Sequence, residues 1–113
     1  MVTQDPERKA DAEYSLGRVA DLARWQCVQY AGTRVTLDID ALDYVLDDVC
    51  TCLAALGPQH FSHSERYRAN GPWHDVYKTS WAPPGRQPDT LYVKFRLSGD
   101  LIVIQLCSFH QHR

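Results

Sequence analysis

The chain has 113 residues, of which 44% are apolar and 23% charged, with a formal net charge of −2. That is one domain of ordinary globular composition, large enough for a modest core without covalent staples. No apolar run approaches the roughly 20 residues of a membrane helix, and Met1 to Glu13 has neither the apolar core nor the small-residue cleavage site of a signal peptide, so no membrane association and a cytoplasmic location are expected.

The net charge hides an asymmetry. Residues 1–60 hold five Lys/Arg against ten Asp/Glu, and residues 61–113 hold seven against four together with four of the five histidines. A basic second half points toward an anionic partner, though it is no polybasic patch. The four cysteines, Cys27, Cys50, Cys52 and Cys107, lack the close-spaced ligand pairs of a zinc site and read as buried thiols.

In chain order, residues 1–13 read as a flexible lead-in and 14–113 as a single domain. Ser15 can cap a helix whose Leu16, Val19, Leu22 and Ala23 share one face and which ends near Trp25 or Gln26. Cys27 to Tyr30 is a short strand or an irregular connection. A second apolar stripe follows through Ile39, Leu42, Val45, Leu46, Val49, Cys52, Leu53 and Leu56, and Gly57-Pro58 stops it. It is one long helix or two short ones broken near Tyr44–Asp47, with Asp38 or Asp40 capping its start and Asp47 capping the second piece.

After Pro58 the texture changes to strand-length runs between turn signals. Four antiparallel strands are expected, near His60–Tyr67, Trp73–Trp81, Thr90–Leu97 and Leu101–Phe109, with Ser98-Gly99-Asp100 as a three-residue hairpin turn. Two or three helices on one face of such a sheet make an α+β fold. Alternation places Leu91, Val93, Phe95 and Leu97 toward the helices and Tyr92, Lys94 and Arg96 on the open face. By the same rule Trp73, Tyr77 and Trp81 belong to the core side, with Asp75 needing a partner if buried, while His74 faces the other way.

The order of these pieces resembles the MqsR family of bacterial toxins. That family runs Phe-Tyr-Lys-Ser, then Trp-Gln-Asp-Val-Tyr, then Leu-Tyr-Val/Ile-Lys, then Ser-Phe-Lys. The matching residues here are Phe61-Ser62-His63-Ser64, Trp73-His74-Asp75-Val76-Tyr77, Leu91-Tyr92-Val93-Lys94 and Ser108-Phe109-His110. The resemblance implies a RelE-like fold and a sequence-selective endoribonuclease of messenger RNA held in check by a cognate antitoxin protein. The implied reaction needs no metal or other cofactor: a 2′-hydroxyl attacks the adjacent phosphate, leaving a cyclic phosphate and a 5′-hydroxyl. It requires a base, an acid and cations for the phosphorane charge.

Three positions depart from the family: its first lysine falls on His63, its glutamine on His74 and its last lysine on His110. Histidine suits acid–base work near neutral pH but lacks the paired donor and acceptor of a glutamine amide. The expected catalytic set is therefore His63, His74, Tyr92 and His110, with Lys78, Lys94 and Arg96 contacting RNA. The alternatives are a non-catalytic protein-binding module on the same fold and a small zinc-dependent hydrolase using the three histidines.

Overall fold

The computed structural model describes residues 5–112. Its elements are β1 (Glu7–Lys9), α1 (Leu16–Arg24), β2 (Val28–Tyr30), α2 (Thr33–Leu42), α3 (Leu46–Ala54), a 3-10 turn at Pro58–His60, β3 (Phe61–Arg66), β4 (His74–Trp81), β5 (Asp89–Ser98) and β6 (Val103–Gln111). The α+β class holds, but the sheet has six strands rather than four, in the order β1-β3-β4-β5-β6-β2. All neighbours pair antiparallel except β2, which runs parallel to β6.

Of the two extra strands, β1 corrects the reading of residues 1–13 as a lead-in, and β2 resolves Cys27–Tyr30 in favour of a short strand. Glu7, Arg8 and Lys9, assigned to the lead-in, pair with Arg66, Glu65 and Ser64. Val28 to Tyr30 close the other edge against Ile104 to Leu106. The connection from β1 to β2 therefore spans the whole sheet and carries α1 with it. Asp75 fixes where that crossing begins: fully buried, it accepts hydrogen bonds from the backbone N–H of Glu13 (3.0 Å) and Tyr14 (3.0 Å). The Tyr14 hydroxyl donates to the Trp73 carbonyl at 2.7 Å.

Ser15 caps α1 as expected, its hydroxyl accepting from the Arg18 N–H. The second apolar stripe is two helices, because Asp43 takes a left-handed conformation at φ 61° and ends α2. The capping expectations need correction: α2 starts at Thr33, well before Asp38 and Asp40, and the carboxylate that accepts the Val45 N–H at the head of α3 is Asp48, not Asp47. Arg86, from the loop after β4, donates to the carbonyls of Leu42 (2.8 Å) and Asp43 (3.1 Å) and so seals the end of α2.

One apolar layer joins helices and sheet. Val19, Leu22 and Ala23 of α1, Val35 and Ile39 of α2, and Val49, Cys52 and Leu53 of α3 cover Tyr77, Leu91, Val93, Phe95, Leu97, Ile104, Leu106 and Phe109. Trp81 packs at its margin, edge-on to Tyr44. Trp73 does not join the core: half-buried just before β4, its ring lies 4.5 Å from the Lys9 ammonium and 4.6 Å from the Arg66 guanidinium. Of the cysteines, Cys50 and Cys52 are buried and Cys27 and Cys107 half-buried, all four as free thiols. The β5–β6 turn is longer than the tripeptide expected, running from Gly99 to Ile102 with Gly99 at φ 63° and Leu101 at φ 65°. Among the described residues no helix is long and apolar enough to cross a membrane.

Candidate nucleic-acid interface on the open sheet face

The helices leave one face of the sheet uncovered, and register assigns its residues to three cross-strand rows. One row carries Lys78, Tyr92 and His110. The next carries His63, Val76, Lys94 and Ser108. The third carries Glu65 and His74, and continues through Arg96, Gln105 and Gln29. Strands lie about 4.8 Å apart and same-face residues about 7 Å apart along a strand. All seven sequence-predicted site residues therefore share one small area of a single face.

Simple alternation would not have put two of the histidines there. Phe61 packs on the core, so His63, two residues on, should too; Ser62 is an extra residue in the β3–β4 register and reverses the parity. Likewise Ile104 and Leu106 are buried, and His110 would follow them inward if the β5–β6 register did not slip at Cys107. That slip turns Phe109 into the core and His110 onto the open face opposite Tyr92. Two β-bulges thus deliver two histidines, a recurrent use of bulges near functional sites.

Tyr92 and His110 stack at 5.1 Å with their rings 14° from parallel, and the His112 ring follows at 6.1 Å. His110 Nδ1 lies 3.0 Å from the Gln111 carbonyl, which can only accept, so Nδ1 carries the hydrogen and Nε2 is left for other work. A cavity of about 420 Å³ opens beside this stack, lined by Arg34, Asp38, Tyr92, Cys107, Ser108, His110 and His112. Burial pushes the Tyr92 phenol above its ordinary range, against the opposing pull of Lys94, so it is a donor at neutral pH.

The opposite side of the face is a network that the sequence did not disclose. Glu65, only 5% exposed, accepts from His63 Nε2 at 2.7 Å and from the Tyr67 hydroxyl at 2.5 Å. The Lys94 ammonium donates to the Tyr67 oxygen at 2.6 Å and stands 3.7 Å from Glu65, and Arg8 approaches the same carboxylate at 4.0 Å. Burial works against the Glu65 charge, but the hydrogen bonds from Tyr67 and His63 and the charge of Lys94 outweigh it and hold the carboxyl below its usual range. His63 has both ring nitrogens engaged, with Nδ1 2.9 Å from the Ser62 hydroxyl. Val76 is fully buried although it points outward, because its cross-strand neighbours His63 and Lys94 close over it.

His74 sits beside the Tyr67 ring, centroids 5.3 Å apart, with Nδ1 buried and unpaired among the described residues. Desolvation, then the nearby charges of Lys94 and Arg96, depress its affinity for a proton, so it is neutral at pH 7. Lys78 is exposed, and neither it nor Arg96 has a carboxylate within 4.0 Å among the described residues. No three of the histidines, cysteines and carboxylates in the described residues come together as metal ligands.

A sheet shielded by helices on one side and presenting cations, histidines and a phenol on the other defines a small α+β domain with an open polar face. A family model described as motility quorum-sensing regulator, toxin of MqsA, matches residues 11–111. The chain belongs to that MqsR toxin family, and membership makes it a toxin of a toxin–antitoxin system, with an antitoxin as the implied partner. No protein of curated function matches it. Strand β1, and with it Arg8, lies before the matched segment.

Proposed function

We propose that this toxin is a metal-independent endoribonuclease whose substrate, single-stranded messenger RNA, lies across the open sheet face. The observation that carries the reading is the placement of Lys94 between two differently disposed histidines. His74 lies on one diagonal of Lys94 and His110 on the other, each about 7–8 Å away at the backbone. A phosphate lying across β5 at Lys94 therefore has a histidine on the strand to either side, His74 on β4 and His110 on β6.

The two imidazoles suit opposite roles. His74, kept neutral by burial and by Lys94, takes the proton of the 2′-hydroxyl. The freed oxygen bonds to phosphorus, the bond to the 5′-oxygen breaks, and that oxygen takes a proton from Nε2 of the His110 imidazolium. Lys94 and the Tyr92 hydroxyl donate to the equatorial oxygens, where charge develops. Lys78 and Arg96 hold flanking phosphates. Of the expected catalytic set, His63 is the member whose nitrogens are both occupied, and it stands back from the reaction.

The test is incubation of the purified protein with mixed-sequence RNA in EDTA, followed by mapping of the product ends. Cuts at a recurring short sequence, ending in cyclic phosphate and 5′-hydroxyl, are expected. His110→Ala should slow them by roughly a hundredfold or more. A second reading, a non-catalytic module that keeps only its protein partner, draws on Glu65, a carboxylate in the middle of a face meant for phosphates. Absence of cleavage by the folded, antitoxin-free protein would favour that module, and cleavage that EDTA abolishes would sink the metal-free mechanism.

A further inference from the structure

Glu65 is unexplained by the reaction just described. An anion on a phosphate-binding face opposes binding unless it is shielded or put to use, and this one is both. Its carboxylate is buried, and each oxygen has partners: His63 and Arg8 at Oε1, Tyr67 and Lys94 at Oε2. The partners come from three strands and the turn after β3, so the carboxylate ties β1, β3 and β5 together beneath the face. A lysine side chain has four rotatable bonds and in water holds no fixed position. Lys94 is instead only 18% exposed in its side chain, with its ammonium hydrogen-bonded through the Tyr67 hydroxyl to Glu65.

We propose that Glu65, acting through Tyr67, is the positioning residue of the site: it fixes the Lys94 ammonium on the β3 side of the open face, against Tyr67, on whose ring His74 packs. The assignment rests on the endoribonuclease reading. His63 belongs to the same device. A carboxylate only accepts, so His63 Nε2 is the N–H, and the imidazole braces Glu65 while Nδ1 shares a hydrogen bond with the Ser62 hydroxyl. Arg8 supplies a second cation to the carboxylate from the edge strand. The network keeps the ammonium's protons directed, and it leaves the carboxylate too deep to meet RNA.

The arrangement has a kinetic consequence that a purely structural role lacks. Glu65 also supports the proton affinity of His74, which faces Lys94 and Arg96 from β5, Tyr67 from the turn and Glu65 from β3. Removing its charge moves the acidic limb of the rate profile to lower pH and loosens Lys94, while easing the approach of RNA. Glu65→Gln, nearly isosteric, is therefore expected to lower kcat roughly tenfold or more, leave KM unchanged or smaller, and displace the acidic limb downward. Tyr67→Phe, at an exposed position, removes the bridging hydroxyl without disturbing the fold and should reproduce the kcat loss in part.

Steady-state cleavage by wild type, Glu65→Gln and Tyr67→Phe over pH 4.5–8 provides the comparison. Unchanged or faster turnover in both variants would overturn the assignment, since it would make Glu65 a mere repulsive charge. A second measurement is independent of cleavage: the ammonium 15N–1H signal of Lys94, expected to be resolved in wild type and broadened by exchange with water in both variants. If wild type cuts no RNA but the signal behaves so, the endoribonuclease reading fails and the hold of Glu65 on Lys94 stands. If the signal is the same in all three proteins, the positioning role fails whatever the activity.

Discussion

At the scale of single residues, the open face is held together by groups whose titration should be visible in stability. His74 binds protons less readily folded than unfolded, where its ordinary value is 6.5. As pH falls through 6.5 the unfolded chain takes a proton that the native state refuses, so stability drops until the folded value is reached. Glu65 acts lower: its depressed carboxyl contributes stability that is complete above the ordinary 4.5 and is lost as pH falls below it. Denaturant unfolding from pH 7.5 to 3.5 should therefore show two descending windows. His74→Gln should flatten the upper one and Glu65→Gln the lower; an unchanged slope in either would contradict the environment described for that residue. Asp75 is a different case, a buried carboxylate tied to backbone N–H groups rather than to cations. Asp75→Ala leaves two amides without their acceptor and should cost about 3 kcal/mol in urea unfolding, whereas a change below 0.5 kcal/mol would mean water replaces it freely. The need of Asp75 for a partner was readable from alternation on β4, and so was the outward face of Tyr92, Lys94 and Arg96. Glu65 was not, because its value depends on Tyr67, which lies beyond the strand, and on Lys94, two strands away.

At the scale of elements, the long amphipathic pieces were legible and the short ones were not. Nine residues of helical periodicity announce α1 and α3, and of α2 only the second half, from Ile39, showed; three residues such as Glu7–Lys9 carry no periodic signal and are strand only because β3 offers them a partner. The bulges at Ser62 and Cys107 were hidden for the same reason: a bulge is a relation between two strands, and one strand's sequence shows only an interrupted alternation. The edge strand β1 has a testable duty. It covers β3, and it contributes Lys9 to the Trp73 stack and Glu7 to an ion pair with Arg66 at 2.7 Å. A chain beginning at Asp11 keeps the family-matched segment but bares the β3 edge. We expect it to lose roughly 1–3 kcal/mol and to associate as concentration rises, seen by light scattering, with Trp73 fluorescence shifted to the red. A shortened chain as stable and as monodisperse as the full one would make β1 dispensable.

At the scale of the whole molecule, charge and architecture coincide. The acidic first half of the sequence supplies the helix layer, and the basic second half supplies most of the sheet. The compositional asymmetry, weak evidence while the chain was only a sequence, becomes a difference between the two sides of one body. What the sequence could not show is that β1 and β2 sit at opposite edges, so that the acidic half wraps the basic one. An RNA strand is repelled from the helices and drawn to the sheet, where Lys78, Lys94 and Arg96 stand in successive rows. Binding single-stranded RNA releases about 0.7 counterion per phosphate neutralised. Three such contacts predict that log affinity falls against log salt with a slope of about −2. An RNA with 2′-deoxy sugars resists cleavage, so its affinity is measurable by anisotropy between 50 and 300 mM salt. Lys78→Ala and Arg96→Ala should each reduce the slope by about 0.7. Lys94→Ala should reduce it less, because its charge is already shared with Glu65 in the free protein. A slope insensitive to all three substitutions would move the RNA off this face, and with it the acid–base chemistry assigned to His74 and His110.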